Sequence, residues 1–228
     1  MCARPELFAE LESLLSSKGV EGLVQDYDEF RHVIVAGIDY KRSVVEEDER
    51  DKGLRNELNW GHTVGHAIEG MGVTGLHHGE CVSIGMVYEA MALRAQGQLS
   101  NIAAQRLEKV LKCCDLPTVL PPGAEENREE LMRRMKRDKK NRGGAIHVVD
   151  VRDIGRCEGD SRTVPVPDRI LKRVLSSAVT ISGSALVKSG QKLGPSGGGV
   201  LELPGSKSIS NRALVLAALA EKPGGKCR

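Results

Sequence analysis

Apolar residues recurring every three or four positions run through most of this chain, and that period constrains its fold more than any other feature. Leu7, Phe8, Leu11, Leu14 and Leu15 have this spacing, as do Tyr27, Phe30, Val33, Ile34 and Ile38, so residues 7–15 and 27–38 are expected to be amphipathic helices. A charge-rich stretch, 46–52, passes through Gly53 into a third helix starting near Leu54. Gly70, Gly72 and Gly75 then break the pattern before the apolar run 81–93. The segments on either side of these glycines read as a helical hairpin. Two more helices are expected at 101–114, stopped by Pro117, and at 125–135, where acidic residues open the helix and basic ones close it. Strand character enters with the β-branched run 145–151, after Asn141-Arg-Gly-Gly144. Pro165 and Pro167 then precede one last helix, 168–175. The fold class is mainly α.

Residues 182–199 are rich in Gly, Ser and Lys and have the composition of a connector. Beyond them, 200–203 suits a strand and 209–220 a helix, joined by the turn Pro204-Gly-Ser206. A strand-turn-helix piece of roughly thirty residues cannot bury a core of its own, so it is expected to be an incomplete α/β segment. The expected division is 1–176 helical domain, 177–199 linker and 200–228 truncated second domain.

Charge and aromatic content narrow the partners. Lys+Arg number 33 against 31 Asp+Glu, a net charge of +2, and there are one Trp, three Tyr and two Phe. That balance offers no polycationic face and too few rings for base stacking, which disfavours nucleic acid. No apolar stretch approaches the ~20 residues of a membrane span, and the first residues lack a signal-peptide pattern. Cys2, Cys81, Cys113, Cys114, Cys157 and Cys227 form no CxxC pair, so reduced thiols are expected. A cytoplasmic protein without a membrane partner is the expectation.

Chemistry concentrates in Gly53-Leu-Arg-Asn-Glu-Leu-Asn-Trp-Gly-His-Thr-Val-Gly-His-Ala-Ile-Glu69. On one continuous α-helix, Arg55, Asn59, His62 and His66 would share a stripe and face a single cleft. Gly61 and Gly65 fall on a neighbouring stripe, where missing side chains admit another helix or a ligand, despite a propensity cost of about 1 kcal/mol each. Histidines at i and i+4 suit zinc, but the zinc-protease pattern also needs Glu after the first His, and Thr63 stands there. The pair alone therefore leaves a structural role open. Leu76-His-His-Gly-Glu80 adds a third imidazole, His77 or His78, able to fold back across the hairpin. Lys41, Arg42, Arg50, Lys52 and Arg55, with Arg137, Lys139 and Lys140, are mostly solvated charge. Two or three of them converging would form an anion site. Lys207, Ser208 and Arg212 surround a turn that opens a helix, a further anion-binding arrangement, although Gly205 lies too close to Lys207 for a P-loop.

Lys41-Arg-Ser-Val-Val-Glu-Glu-Asp-Glu-Arg50, the 53–69 segment, His78-Gly-Glu-Cys-Val-Ser-Ile-Gly-Met-Val87 and Asp138-Lys-Lys-Asn141 together resemble the C-terminal helical half of 3-dehydroquinate synthase, over roughly residues 7–176. Leu203-Pro-Gly-Ser-Lys-Ser-Ile-Ser-Asn-Arg-Ala213 and the apolar run after it resemble the start of 5-enolpyruvylshikimate-3-phosphate synthase. The two in this order resemble the multifunctional AROM family of the shikimate pathway. The resemblance implies zinc ligation by His62 and His78, and proton transfer by His66 beside the substrate phosphate, where His78 also lies. It implies substrate binding by Lys41, Arg55, Asn59 and Lys139, and by Lys207, Ser208 and Arg212 in the second synthase. Asp51 stands where the family has a proton-accepting Glu, and Trp60 where it has Phe. Zinc and NAD are the implied cofactors, phosphorylated small molecules the substrates, and a homodimer the state of the full-length enzyme. No GxGxxG-like turn between a strand and a helix occurs in the sequence, so the NAD-binding half and the third zinc ligand are expected outside it, and the chain alone is expected to be inactive. A non-catalytic remnant that binds zinc or associates with other chains is the alternative.

Overall fold

The computed structural model describes residues 4–72, 75–137 and 145–176, all within the unit Met1–Thr180. The expected connector and the segment 200–228 lie outside the described residues. Helix α1, Pro5–Gln25, starts on a proline, which suits the first turn of a helix, and bends at Gly19, whose φ is +68°. Asp26 caps helix α2, Tyr27–Glu47, by accepting from the Glu29 backbone N–H at 3.3 Å. Lys18 bonds to both Asp26 and Glu29, closing the α1–α2 turn. Helix α2 runs well past the expected 27–38, because no Gly or Pro interrupts residues 38–47.

The helix expected from Leu54 to Glu69 is two elements. A 3-10 helix, Leu54–Asn59, ends at Trp60, and α3, His62–Met71, begins after Gly61. Gly61 has φ +80°, a left-handed conformation that breaks any continuous helix, so Arg55 and Asn59 do not share a stripe with His62 and His66. Helix α4, His78–Ala95, completes the expected hairpin, and α5, Asn101–Cys113, is capped by Ser100, which accepts from Ala103 N–H at 3.0 Å. The expected 125–135 helix is split at Asn127 into α6, Pro122–Glu126, and α7, Arg128–Lys136.

The expected strand 145–151 is likewise divided. Strand β1, Ile146–Val149, pairs antiparallel with β4, Thr163–Val166, while β2, Val151–Asp153, pairs with β3, Arg156–Cys157. Pro165 sits inside β4, which a two-stranded sheet tolerates because each strand is an edge. Helix α8, Asp168–Ser176, closes the unit with Leu171, Val174 and Leu175 buried. No described helix is long and apolar enough to cross a membrane.

One continuous core joins α1, α3, α4, α5, α7, α8 and the strands, with Phe8, Ile68, Ile84, Leu93, Leu131 and Ile146 almost wholly buried. Its tightest contact lies between α3 and α4. A Cβ on Gly85 would fall 1.9 Å from the Gly61 carbonyl oxygen, and one on Gly65 would fall 2.9 Å from that of Cys81. Both obstacles are backbone and cannot rotate aside. Gly85→Ala is therefore expected to cost about 1–3 kcal/mol through overpacking, read as a lower urea midpoint. Gly79→Ala, with nothing within 4 Å of the added methyl, should stay within about 0.5 kcal/mol.

Candidate functional site

Helix α3 starts against a buried acid on α4. Glu89 is 0% exposed, and its carboxylate accepts from the backbone N–H groups of Gly61 (2.9 Å), Thr63 (3.0 Å) and Val64 (3.2 Å). These are donors that a helix start leaves unsatisfied, and the negative charge suits the positive end of the helix dipole. The Thr63 hydroxyl donates to His147 O at 3.0 Å, tying the same turn to β1.

Two imidazoles project from this anchored helix and a third from the first residue of α4. Ring centroids are 5.0 Å apart for His62 and His66, 5.3 Å for His62 and His78, and 5.6 Å for His66 and His78. One nitrogen from each lies within 4.8 Å of the others. His77, the neighbouring histidine, caps α4 instead, its backbone N–H donating to Glu80 Oε2 at 2.7 Å.

The bonds behind two of these rings set their chemistry. His62 Nδ1–H donates to the Trp60 carbonyl at 3.1 Å, and His78 Nδ1–H to Glu69 Oε2 at 3.0 Å. A carbonyl or carboxylate oxygen can only accept, so each neutral ring keeps its lone pair on Nε2. Neutral imidazoles oriented by such partners are a ligand set that fits a borderline divalent cation such as zinc. Burial pushes the thiol of Cys81, three residues after His78 on α4, up to about 11, so it remains a neutral thiol at neutral pH and is a poor ligand.

The 3-10 helix is held at several points. Asp48 accepts from the backbone N–H groups of Lys52 (2.7 Å), Gly53 (2.9 Å) and Arg55 (3.0 Å). Glu57 accepts from the Tyr40 hydroxyl at 2.6 Å and pairs with Arg162 at 3.1 Å, while Asn56 donates to Ser161 O at 3.1 Å. Burial first, and then Glu57, push the Tyr40 phenol above its ordinary range, which keeps it a donor. The helix thus forms a fixed shelf carrying Arg55 and Asn59, both half-buried.

Among the expected site residues, the structure brings together His62, His66 and His78. Lys41 is exposed on α2, and Asp51 is exposed in the following turn with φ +55°. Lys139, Lys207, Ser208 and Arg212 lie outside the described residues. Asp48 and Glu89 were not among the expected site residues. Asp48 is hidden in a run of charges, whereas Glu89 is the single charge in the apolar run 81–93 and could have been noticed there. Gly70-Met-Gly-Val-Thr-Gly75 spells GxGxxG, but it follows α3 rather than a strand and so lacks the context of a nucleotide-binding turn.

Comparison with known proteins places the chain in a family. The family model for the 3-dehydroquinate synthase C-terminal domain matches residues 1–141. The chain is 42% identical over 221 residues to the pentafunctional AROM polypeptide of Eremothecium gossypii, covering 93% of this chain and 13% of that protein. It is 38% identical over 221 residues to the same polypeptide of Mycosarcoma maydis, covering 93% of this chain and 12% of that protein. The chain thus spans about an eighth of the length of the curated relatives it matches. Among solved structures, 2-deoxy-scyllo-inosose synthase complexed with carbaglucose-6-phosphate, NAD+ and Co2+ aligns with a TM-score of 0.56 and 21% identity, over 65% of this chain and 41% of that one. The 2-epi-5-epi-valiolone synthase of Streptomyces hygroscopicus with NAD+ and Zn2+ bound aligns at 0.59 and 23%, over 75% and 45%. At these identities the likeness is one of fold.

Three backbone N–H bonds, with that of Arg55 the strongest influence, hold the Asp48 carboxyl below its ordinary range. A depressed folded value contributes stability above the unfolded pKa of about 3.9, which is lost as pH falls through the folded value. Asp48→Asn should therefore lower the urea midpoint at pH 7, and the gap from wild type should close below about pH 4. A gap independent of pH would show that the charge is not what the turn uses.

Proposed function

The chain belongs to the 3-dehydroquinate synthase C-terminal family, and on that premise we propose that it supplies the metal- and substrate-binding side of an AROM-type 3-dehydroquinate synthase. The reaction is the zinc- and NAD-dependent conversion of 3-deoxy-D-arabino-heptulosonate 7-phosphate to 3-dehydroquinate and phosphate. Residues 200–228 are the start of a 3-phosphoshikimate 1-carboxyvinyltransferase domain. The observation that carries this reading is the convergence of His62, His66 and His78 at the α3–α4 contact.

His62 and His78 are the zinc ligands. Each is half-buried, with Nδ1–H donating behind the ring, so that Nε2 is the nitrogen that would coordinate. The two solved relatives hold NAD+ with Co2+ or Zn2+, which supports a cofactor pair of that kind in the same fold. When bound, zinc would polarise a substrate hydroxyl, and the carbon bearing that hydroxyl would give its hydride to NAD. His66 is exposed beside the ligands and serves as the proton-transferring imidazole at the substrate phosphate. Arg55 and Asn59 on the 3-10 shelf, with Lys41 and Lys139, bind and orient the anionic substrate, and Asp51 is the proton acceptor. Lys207, Ser208 and Arg212 bind the substrates of the second synthase. The substrates are phosphorylated small molecules, and the full-length enzyme is a cytoplasmic homodimer.

The test is a separation of roles in a full-length AROM polypeptide carrying this domain. His62→Ala and His78→Ala should lose zinc, measured by elemental analysis, together with activity. His66→Ala should keep zinc and lose roughly 10²–10⁴-fold in turnover. Equal zinc loss in all three variants would overturn the assignment. The 228-residue chain alone, given NAD, zinc and the heptulosonate phosphate, should release no phosphate, since the sequence has no strand-glycine-helix nucleotide turn.

A further inference from the structure

Glu89 does more than fill the start of α3. Its Oε2 accepts from Gly61 N–H, and the carbonyl of that same peptide group, Trp60 O, accepts from His62 Nδ1–H. A peptide unit is planar, so its N–H and C=O point in opposite, fixed directions, and binding at one end sets the orientation of the other. Hydrogen bonds in such a chain also polarise one another in a low-dielectric interior. Meanwhile Oε1 accepts from Thr63 and Val64, which fixes the turn bearing the imidazole itself.

We propose that Glu89 is a positioning residue for the metal centre, its carboxylate acting through the Trp60–Gly61 peptide to fix the tautomer and orientation of His62. The proposal rests on the reading of His62 as a metal ligand. Helix α4 then has two tasks, bearing His78 in its first turn and, further along, the clamp that aims His62 toward it. The glycine contact supports the same geometry, since Gly85 admits the Gly61 carbonyl that any larger residue would displace.

The experiment uses the whole chain labelled with 15N-histidine, with Glu89→Gln as the isosteric variant. In the metal-free protein, at a pH where imidazole is neutral, wild-type His62 should be the Nδ1–H tautomer, and E89Q should show a mixture. Co2+ titration, followed by visible absorption, should find E89Q about 10- to 100-fold weaker than wild type. Leu171→Ala, a core truncation on α8, should lower the melting temperature without moving either signal, so loss of stability alone does not mimic the effect. An E89Q protein with wild-type tautomer and Co2+ affinity overturns the proposal. If E89Q does not fold, the wild-type spectrum decides, because an Nε2–H His62 overturns it and an Nδ1–H His62 with a downfield Gly61 amide supports it. Because the third ligand is expected outside this chain, Co2+ binding too weak to titrate leaves the ligand reading to the zinc analysis of the full-length variants, and the tautomer comparison alone then decides Glu89, a wild-type tautomer in E89Q overturning the proposal.

Discussion

The contact on which the site depends is an approach between two helices closer than side chains permit. Helices bearing ordinary residues pack about 8–10 Å apart, and only residues without a Cβ shorten that distance locally. Here Gly61, Gly65 and Gly85 do so, placing carbonyls of each helix where a Cβ would otherwise stand. The cost is the backbone freedom of three glycines. It is offset by the almost wholly buried Val64, Ile68 and Ile84 on the same two helices, and by the Glu89 carboxylate that joins them.

Much of this was legible in the sequence, and two of the failures share a cause. Helical periodicity located α1 to α5 and α8, and the spacing of His62 and His66, with His77 or His78 across the hairpin, pointed to one cleft. The continuous helix across residues 54–69 was wrong because Gly61 can be read either as a helix residue of low propensity or as a left-handed break. The choice is made by an acceptor on another element, Glu89. The same holds for β4, whose Pro165 argues against a strand until β1 is there to pair with it. Asp48 was hidden for a different reason, since an acid among acids carries no pattern that marks it as the one facing inward.

Three of the acids that hold the site together are turned away from solvent, while Glu69 behind His78 stays exposed. Asp48 and Glu89 accept from backbone N–H groups, and Glu57 from Tyr40 and Arg162, so their negative charge is compensated locally. Under the proposed function, Arg55 and Asn59 on the shelf and His66 on α3 are the residues left to meet an anionic substrate. Carboxylates compensated in this way order the site at little cost in uncompensated negative charge.

The three imidazoles belong to neighbouring stretches of the chain, whereas the shelf is tied to a remote hairpin through Arg162 and Ser161. Contacts between residues close in sequence require little loop-closure entropy and can form early as a chain folds. The histidine cluster is therefore local in origin, and the surface beside it is assembled from afar. Sequence changes in the β2–β4 region would then alter the shelf that carries Arg55 and Asn59 while leaving the α3–α4 contact in place, so the two parts are free to diverge at different rates.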